Sequence, residues 1–135
     1  MIRLSLPVVL LAASCTTTDS APRNDRRMTR VERTLEGLTA GTPRRCLPNA
    51  DFNEMRTARD VIVFVAGRNR VWRNDMVGSG CGTGLSRGDT VITQPFNGQL
   101  CSGDIVRTRS PTGGMISGSC SLGEFVPYTR PRGEE

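Results

Sequence analysis

The stretch of sequence that decides the fold reads Val61-Ile62-Val63-Phe64-Val65, then Ala66-Gly67-Arg68-Asn69, then Arg70-Val71-Trp72-Arg73-Asn74. Its first part is a run of β-branched and aromatic residues, a composition that β-strands favour. Its middle part contains a glycine and is typical of a turn, and apolar and polar residues alternate after it. Two such runs on either side of a short turn predict a β-hairpin.

A second hairpin is predicted around Asn97-Gly98. This pair favours a type I′ turn, because both central residues of that turn have positive φ. Residues 90–96 and 99–101 would form the two strands. Pro95 must then lie at an edge or a bulge, because proline has no N–H to donate to a neighbouring strand.

A third hairpin is predicted from residues 104–109 to residues 115–120, through a connection at 110–114 that is rich in glycine and proline. A last short strand is expected at 125–128. Successive hairpins at this spacing indicate a mainly β fold, which would be a small antiparallel meander or a barrel-like sheet.

One short helix is predicted before the strands, from Arg26 to Leu38. Its apolar residues recur at spacings of three, four and three, which places them on one helical face: Met28, Val31, Leu35 and Leu38. Asn24 or Asp25 could cap the start, and Gly41 with Pro43 could close the end. We expect this narrow stripe to cover a core rather than to lie on a membrane.

The N-terminus is similar to a bacterial export signal, with Arg3, a short apolar run and small residues before Cys15. The run is far shorter than the roughly 20 residues that span a bilayer. Ala13-Ser14-Cys15 resembles the lipobox of bacterial lipoproteins, in which the signal peptidase cuts before the cysteine and the thiol carries lipid. We therefore expect Cys15 to be the lipid attachment site, and an ordinary signal peptide is the alternative. Thr16 favours the periplasmic face of the outer membrane, with the inner membrane left open.

These patterns divide the chain into four parts. We expect a lipoprotein signal peptide at 1–14, a flexible tether at 15–27, a disulfide-stapled β domain at 28–129 and a disordered tail at 130–135.

Four cysteines remain besides the lipid-bearing one: Cys46, Cys81, Cys101 and Cys120. An even number of cysteines in a small exported domain predicts two disulfides. A four-cysteine zinc site is the alternative, but it would favour close C-x-x-C pairs, which are absent here. Of the three possible pairings we favour Cys46–Cys81 with Cys101–Cys120.

The composition excludes several chemistries. All 18 basic residues are arginine, and the chain has no histidine and no lysine. It therefore has no Ser-His-Asp triad, no histidine metal ligand and no phosphate-loop lysine. We expect no metal and no cofactor.

Carboxylates could still serve in glycoside hydrolysis, but no pair stands out among those near predicted turns and strand ends: Asp60, Asp75, Asp89, Asp104 and Glu124. We expect no enzymatic activity. The glycine-rich segment 78–84 could cradle a phosphate only if a helix followed it. We expect a turn around a disulfide there, followed by a strand, and we interpret Arg87-Gly88-Asp89 as part of a turn.

The net charge of +5 leaves open what the arginines contact. We favour a solvated surface of mixed charge over a nucleic-acid surface, which would interleave aromatic residues with the basic ones. Contact with anionic envelope material, such as lipid phosphate or cell-wall carboxylate, stays open.

Several motifs resemble a family of small, uncharacterised proteobacterial lipoproteins, a domain of unknown function. They include Arg45-Cys46-Leu47, residues 57–64 with Asn74, Cys81 with Gly84-Leu85, residues 99–106 and residues 118–128. The resemblance implies export, a lipid anchor and four core cysteines, and it brings no activity or ligand.

Together these features predict a lipid-anchored periplasmic envelope protein, a non-enzymatic binding or scaffolding module. Its partners would be the membrane, through the N-terminal lipid, and an envelope protein or peptidoglycan, but not nucleic acid. One alternative is an inhibitor of a cell-wall hydrolase, because small disulfide-bonded lipoprotein β-barrels that block lysozyme resemble this architecture. The other is a carboxylate-dependent hydrolase.

Overall fold

The computed structural model describes residues 21–132, with side chains from Arg26 onward. The predicted signal peptide, Cys15 and the first part of the tether lie outside these residues. Within residues 21–132, two α-helices, one 3-10 turn and ten strands follow one another: α1 Ala21–Leu35, β1 Thr39–Ala40, β2 Cys46–Pro48, the 3-10 turn Asn49–Asp51, β3 Glu54–Ala58, β4 Val61–Val65, β5 Arg70–Asp75, α2 Gly82–Arg87, β6 Thr90–Thr93, β7 Gln99–Cys101, β8 Ile105–Arg109, β9 Ile116–Ser121 and β10 Phe125–Thr129.

The strands form three antiparallel sheets. The largest has the order β1-β10-β5-β4-β3, and the others are β2-β7 and β6-β8-β9. The predicted mainly β fold with an N-terminal helix and two disulfides is therefore confirmed. The barrel-like alternative is not observed, because the strands of the described residues are divided among separate sheets and do not close.

Strand β4 lies at the centre of the domain and is buried on both faces. Val61, Val63 and Val65 belong to an apolar cluster that also contains Val31 of α1. The alternate residues of β4 belong to a second cluster with β2, β7, β8 and α2. Because α1 covers one face of the large sheet and the two smaller sheets cover the other, a continuous apolar run is required at this position.

The hairpin β4–β5 forms as predicted, with Phe64 opposite Trp72. The hairpin β8–β9 also forms, with an irregularity at Thr108/Arg109. Strand β10 lies between β1 and β5.

The predicted hairpin around Asn97-Gly98 is wrong in its pairing. The tight turn exists, with φ of 50° at Asn97 and 72° at Gly98, and Phe96 and Gln99 exchange two backbone hydrogen bonds across it. Beyond that pair, however, β6 pairs with β8 and β7 pairs with β2. Pro95 follows Gln94 on the β6 side and cannot donate a hydrogen bond, so the two strands diverge after the turn.

Helix α1 begins at Ala21, so residues 21–27, which the sequence placed in the tether, are helical. Pro22 is compatible with this start, because the first helical turn leaves its N–H groups without intrahelical partners. The helix ends at Leu35, and Gly37 follows with φ of 74°, the left-handed conformation that ends many helices. The predicted stripe covers the core as expected, although Leu38 contacts it from beyond the helix.

The two disulfides join Cys46 to Cys101 and Cys81 to Cys120. The number of bridges is as predicted, but the expected pairing is wrong. Cys46 and Cys101 lie directly opposite each other on β2 and β7, and Cys81, at the start of α2, reaches Cys120 on β9. Spacing along the chain does not reveal these neighbours, because distant segments form both pairs.

Candidate anion-binding surface

The outward side of α1 carries a row of arginines. Arg26, Arg30 and Arg33 are exposed and follow one another at spacings of four and three residues, so they share one helical face. This row lies opposite the buried Val31, and at about 1.5 Å per residue it extends over about 10 Å. Within the described part of the chain, none of the three makes an ion pair.

Arg56 on β3 extends this basic row onto the edge of the sheet. Its Nε donates to Glu54 Oε1 at 2.7 Å and its Nη2 donates to Glu54 Oε2 at 3.2 Å. Its Nη1 donates to Thr34 Oγ1 at 2.8 Å, which joins β3 to α1. We call Arg26, Arg30, Arg33 and Arg56 together the arginine face.

These hydrogen bonds favour the charged forms of both partners. The hydrogen bond from Arg56 lowers the pKa of Glu54 from its ordinary value, and the nearby charge of Arg30 adds to this effect. The same hydrogen bond raises the pKa of Arg56. Both members of this pair therefore stay charged over the whole neutral range.

Three shallow depressions, of about 390, 390 and 440 Å³, connect the members of the arginine face. They share lining residues, so they form one continuous surface. Glu54 is the one carboxylate that lines them among the described residues, and Arg56 already pairs with it. Glu32 lies on a different flank of α1, and Glu36 follows the end of the helix. The surface consequently has an excess of positive charge.

A neighbouring arginine has a structural role. Arg27 is half-buried, and its Nη1 donates to the backbone oxygen of Leu85 at 2.9 Å, which ties α1 to α2. The helix that carries the arginine row is thus held both at the edge of the large sheet and at α2.

The carboxylates that the sequence offered for catalysis have different surroundings in the structure. Each has a local role or lies exposed. Asp75 pairs with Arg73 at 2.9 Å, and one oxygen of Asp104 accepts a hydrogen bond from the Cys101 backbone at 2.7 Å. Asp89 is buried and accepts a hydrogen bond from Ser117 Oγ, while Asp60 and Glu124 are exposed. Residues 21–132 contain no cluster of three or more side chains that could hold a metal ion.

Strand β9 packs directly against the glycine-rich segment 78–84. The expected strand follows as β6 from Thr90, but the short helix α2 lies before it and was not predicted. Gly80 packs against Gly118 of β9 so closely that a Cβ on either would overlap a backbone oxygen of the other segment. The Cys81–Cys120 disulfide links the same two segments covalently. The turn around a disulfide is therefore confirmed, and the backbone of β9 packs directly against Gly80.

A second surface lies on the outer face of the β6-β8-β9 sheet. Ile92, Ile105 and Ile116 line a depression of about 220 Å³ there, together with Arg107 and Arg109. Because Val106 of the same strand points into the central cluster, this face and α1 lie on opposite sides of the large sheet.

No protein-family model matches the chain, and no curated protein or solved structure is significantly similar to it. The resemblance to proteobacterial lipoproteins therefore stays an expectation from the sequence. Within residues 21–132, no helix is both long enough and apolar enough to cross a membrane.

Sequence reasoning treated the arginines as a solvated surface of mixed charge and missed their arrangement. A signal was present in the i, i+4 and i+7 spacing of Arg26, Arg30 and Arg33. The contribution of Arg56 could not be found in this way, because β3 lies beside α1 only in the folded domain.

Proposed function

We propose that this chain is a lipid-anchored protein of the bacterial envelope, held by Cys15, and that its folded domain is a non-enzymatic module that binds anionic groups. The observation that carries this proposal is the arginine face. Its three helical guanidinium groups are exposed and unpaired within the described residues, and the fold holds them in one row. Arginine is well suited to such binding, because its planar group donates two parallel hydrogen bonds to phosphate or carboxylate.

The anchor and the compartment have separate support. The lipobox-like Ala13-Ser14-Cys15 supports attachment of lipid at Cys15. The two disulfides support an oxidising compartment such as the periplasm, where such bonds persist. We place the domain on the periplasmic face of the outer membrane.

The anchor is tested with Cys15→Ala and with Ser20→Ala as the control. We expect the wild-type and control proteins to incorporate labelled palmitate and to sediment with membranes. Cys15→Ala should lose the label and leave the membrane fraction. If Cys15→Ala stays in the membranes with unchanged labelling, the anchor does not exist.

The non-enzymatic role is tested by incubating the purified protein with peptidoglycan, with and without lysozyme. We expect no release of fragments without lysozyme and no change in the rate of lysozyme digestion. Release of fragments by the protein alone would indicate a hydrolase, and slower digestion would indicate an inhibitor of a cell-wall hydrolase. Either result would contradict the proposed role.

A further inference from the structure

We infer that the arginine face docks on the phosphate groups of the same bilayer that holds the lipid anchor. This inference rests on the proposed function, because it takes Cys15 as the anchor. It adds the identity of the anionic partner and the orientation of the domain on the membrane.

The length of chain between the anchor and α1 supports a bilayer as the partner. Ala21, the first helical residue, follows Cys15 by six residues. At about 3.3–3.6 Å per residue, even a fully extended connection reaches only about 20 Å. The beginning of α1 is therefore kept within about 20 Å of the headgroups, and Arg26 lies about one and a half helical turns further along.

The shape of the charged surface fits a flat anionic layer. The row Arg26, Arg30 and Arg33 runs along the helix and faces outward, so all three groups can contact one plane when α1 lies parallel to it. Surface charges interact over a distance of about 8 Å at physiological salt. A helix that the anchor keeps near the headgroups therefore meets lipid phosphate at a high effective concentration, without the need for a second molecule.

This docking fixes the direction in which the rest of the domain faces. Because α1 and the β6-β8-β9 sheet lie on opposite sides of the large sheet, the surface with Arg107 and Arg109 points away from the bilayer. Those two arginines provide an internal control, because they are exposed, have the same chemistry and lie on the opposite side.

The experiment measures how fast each arginine is modified. The purified protein is reconstituted in vesicles of phosphatidylcholine, alone or mixed with phosphatidylglycerol, and treated with phenylglyoxal before mass spectrometry. We expect Arg26, Arg30 and Arg33 to react several-fold more slowly in the anionic vesicles, with Arg107 and Arg109 unchanged. Equal rates at Arg26, Arg30 and Arg33 in both kinds of vesicle would overturn the inference.

Two variants with the same net charge sharpen the test. In the anionic vesicles, Arg26→Gln/Arg30→Gln should largely remove the protection of Arg33, because the remaining charge binds too weakly alone. Arg107→Gln/Arg109→Gln should leave that protection intact. Salt at about 1 M, where screening acts within about 3 Å, should abolish protection in the wild-type protein. Protection that persists in the first variant or at high salt would contradict docking through these charges.

The remaining arms separate this inference from the proposed function. Soluble peptidoglycan fragments are added to protein in neutral vesicles, and the arginines are labelled as before. If the fragments slow the modification of the arginine face, the surface binds the cell wall, and docking on lipid is overturned. Flotation in a density gradient tests the anchor. If the protein does not float with neutral vesicles, the lipid anchor of the proposed function is contradicted. The same labelling with anionic vesicles added to the unanchored protein still decides whether the arginine face binds lipid phosphate.

Discussion

At the scale of single residues, Asn74 shows how a buried polar group is accommodated. Its side chain is completely buried at the end of β5. Its Nδ2 donates to the Gly123 oxygen at 2.8 Å, and its Oδ1 accepts from the Gly123 nitrogen at 2.9 Å. One side chain thus satisfies both backbone polar groups of the buried Gly123, and this pairing holds the connection between β9 and β10 against β5.

Asn74→Ala should destabilise the domain strongly, because it leaves the N–H and C=O of Gly123 buried without partners. Each unpaired group costs about 1–3 kcal/mol, so we expect a loss of about 2–6 kcal/mol in the free energy of unfolding. Thermal and urea unfolding measure this loss. Asn69→Ala, in the exposed β4–β5 turn, is the control and should stay within about 0.5 kcal/mol of wild type. Equal stability of the two variants would show that the pairing contributes little.

At the scale of secondary-structure elements, the two disulfides secure different parts of the domain. Cys46–Cys101 joins the two strands of the smallest sheet, and both of its cysteines are half-buried. Cys81–Cys120 lies in the central apolar cluster and joins α2 to β9. Both bridges close loops of similar length, so the chain-entropy contribution, about 2–4 kcal/mol each, is similar for the two.

We therefore expect the buried Cys81–Cys120 bridge to contribute more to the free energy of unfolding than Cys46–Cys101. Cys81→Ala/Cys120→Ala should lower the free energy of unfolding by more than Cys46→Ala/Cys101→Ala, because only the former leaves a cavity in the core in addition to removing a crosslink. Chemical denaturation of both double variants measures the difference. A larger loss for Cys46→Ala/Cys101→Ala would contradict this account. Non-reducing peptide mapping of the wild-type protein should show the two observed pairs and no Cys46–Cys81 link.

At the scale of the whole molecule, the domain has a basic side and an opposite side formed by the β6-β8-β9 sheet. The charge of the basic side comes from arginines and one carboxylate, Glu54, whose pKa is lowered by its hydrogen bond from Arg56. Neither member of the Glu54–Arg56 pair therefore changes its charge between about pH 5 and pH 9.

Protection of the arginine face by anionic vesicles should accordingly be constant over that range. Glu54 becomes protonated only when the pH falls below its ordinary value of 4.5, which adds net positive charge to the face. Because the pKa of Glu54 is lower in the folded state, its pairing with Arg56 stabilises the domain above that pH, and this contribution is lost on further acidification. Arginine modification rates in vesicles across the pH range check this prediction. A change near pH 6 to 8 would point to another titrating group.

The sequence predicted those features that depend on neighbours along the chain. The run Val61–Val65 and its turn predicted a central hairpin, and Asn97-Gly98 predicted a tight turn that is present. The apolar spacing of Met28, Val31 and Leu35 predicted the side of α1 that faces the core. Each of these rests on periodicity or on the conformation of one or two residues, which local sequence specifies directly.

The predictions that failed concern partners distant in the chain. Nothing near β6 or β7 shows that they pair with β8 and β2, and the cysteine pairing follows from that arrangement. The arginine face likewise needs α1 to lie beside β3. By itself, then, the sequence determined the positions of β4 to β10, the main helix, the tight turn and the number of disulfides, while β1, β2, β3 and α2 were not predicted. Only the tertiary structure decided which strands pair, which cysteines bond and which arginines share a surface, because those contacts depend on the packing of distant segments around one core.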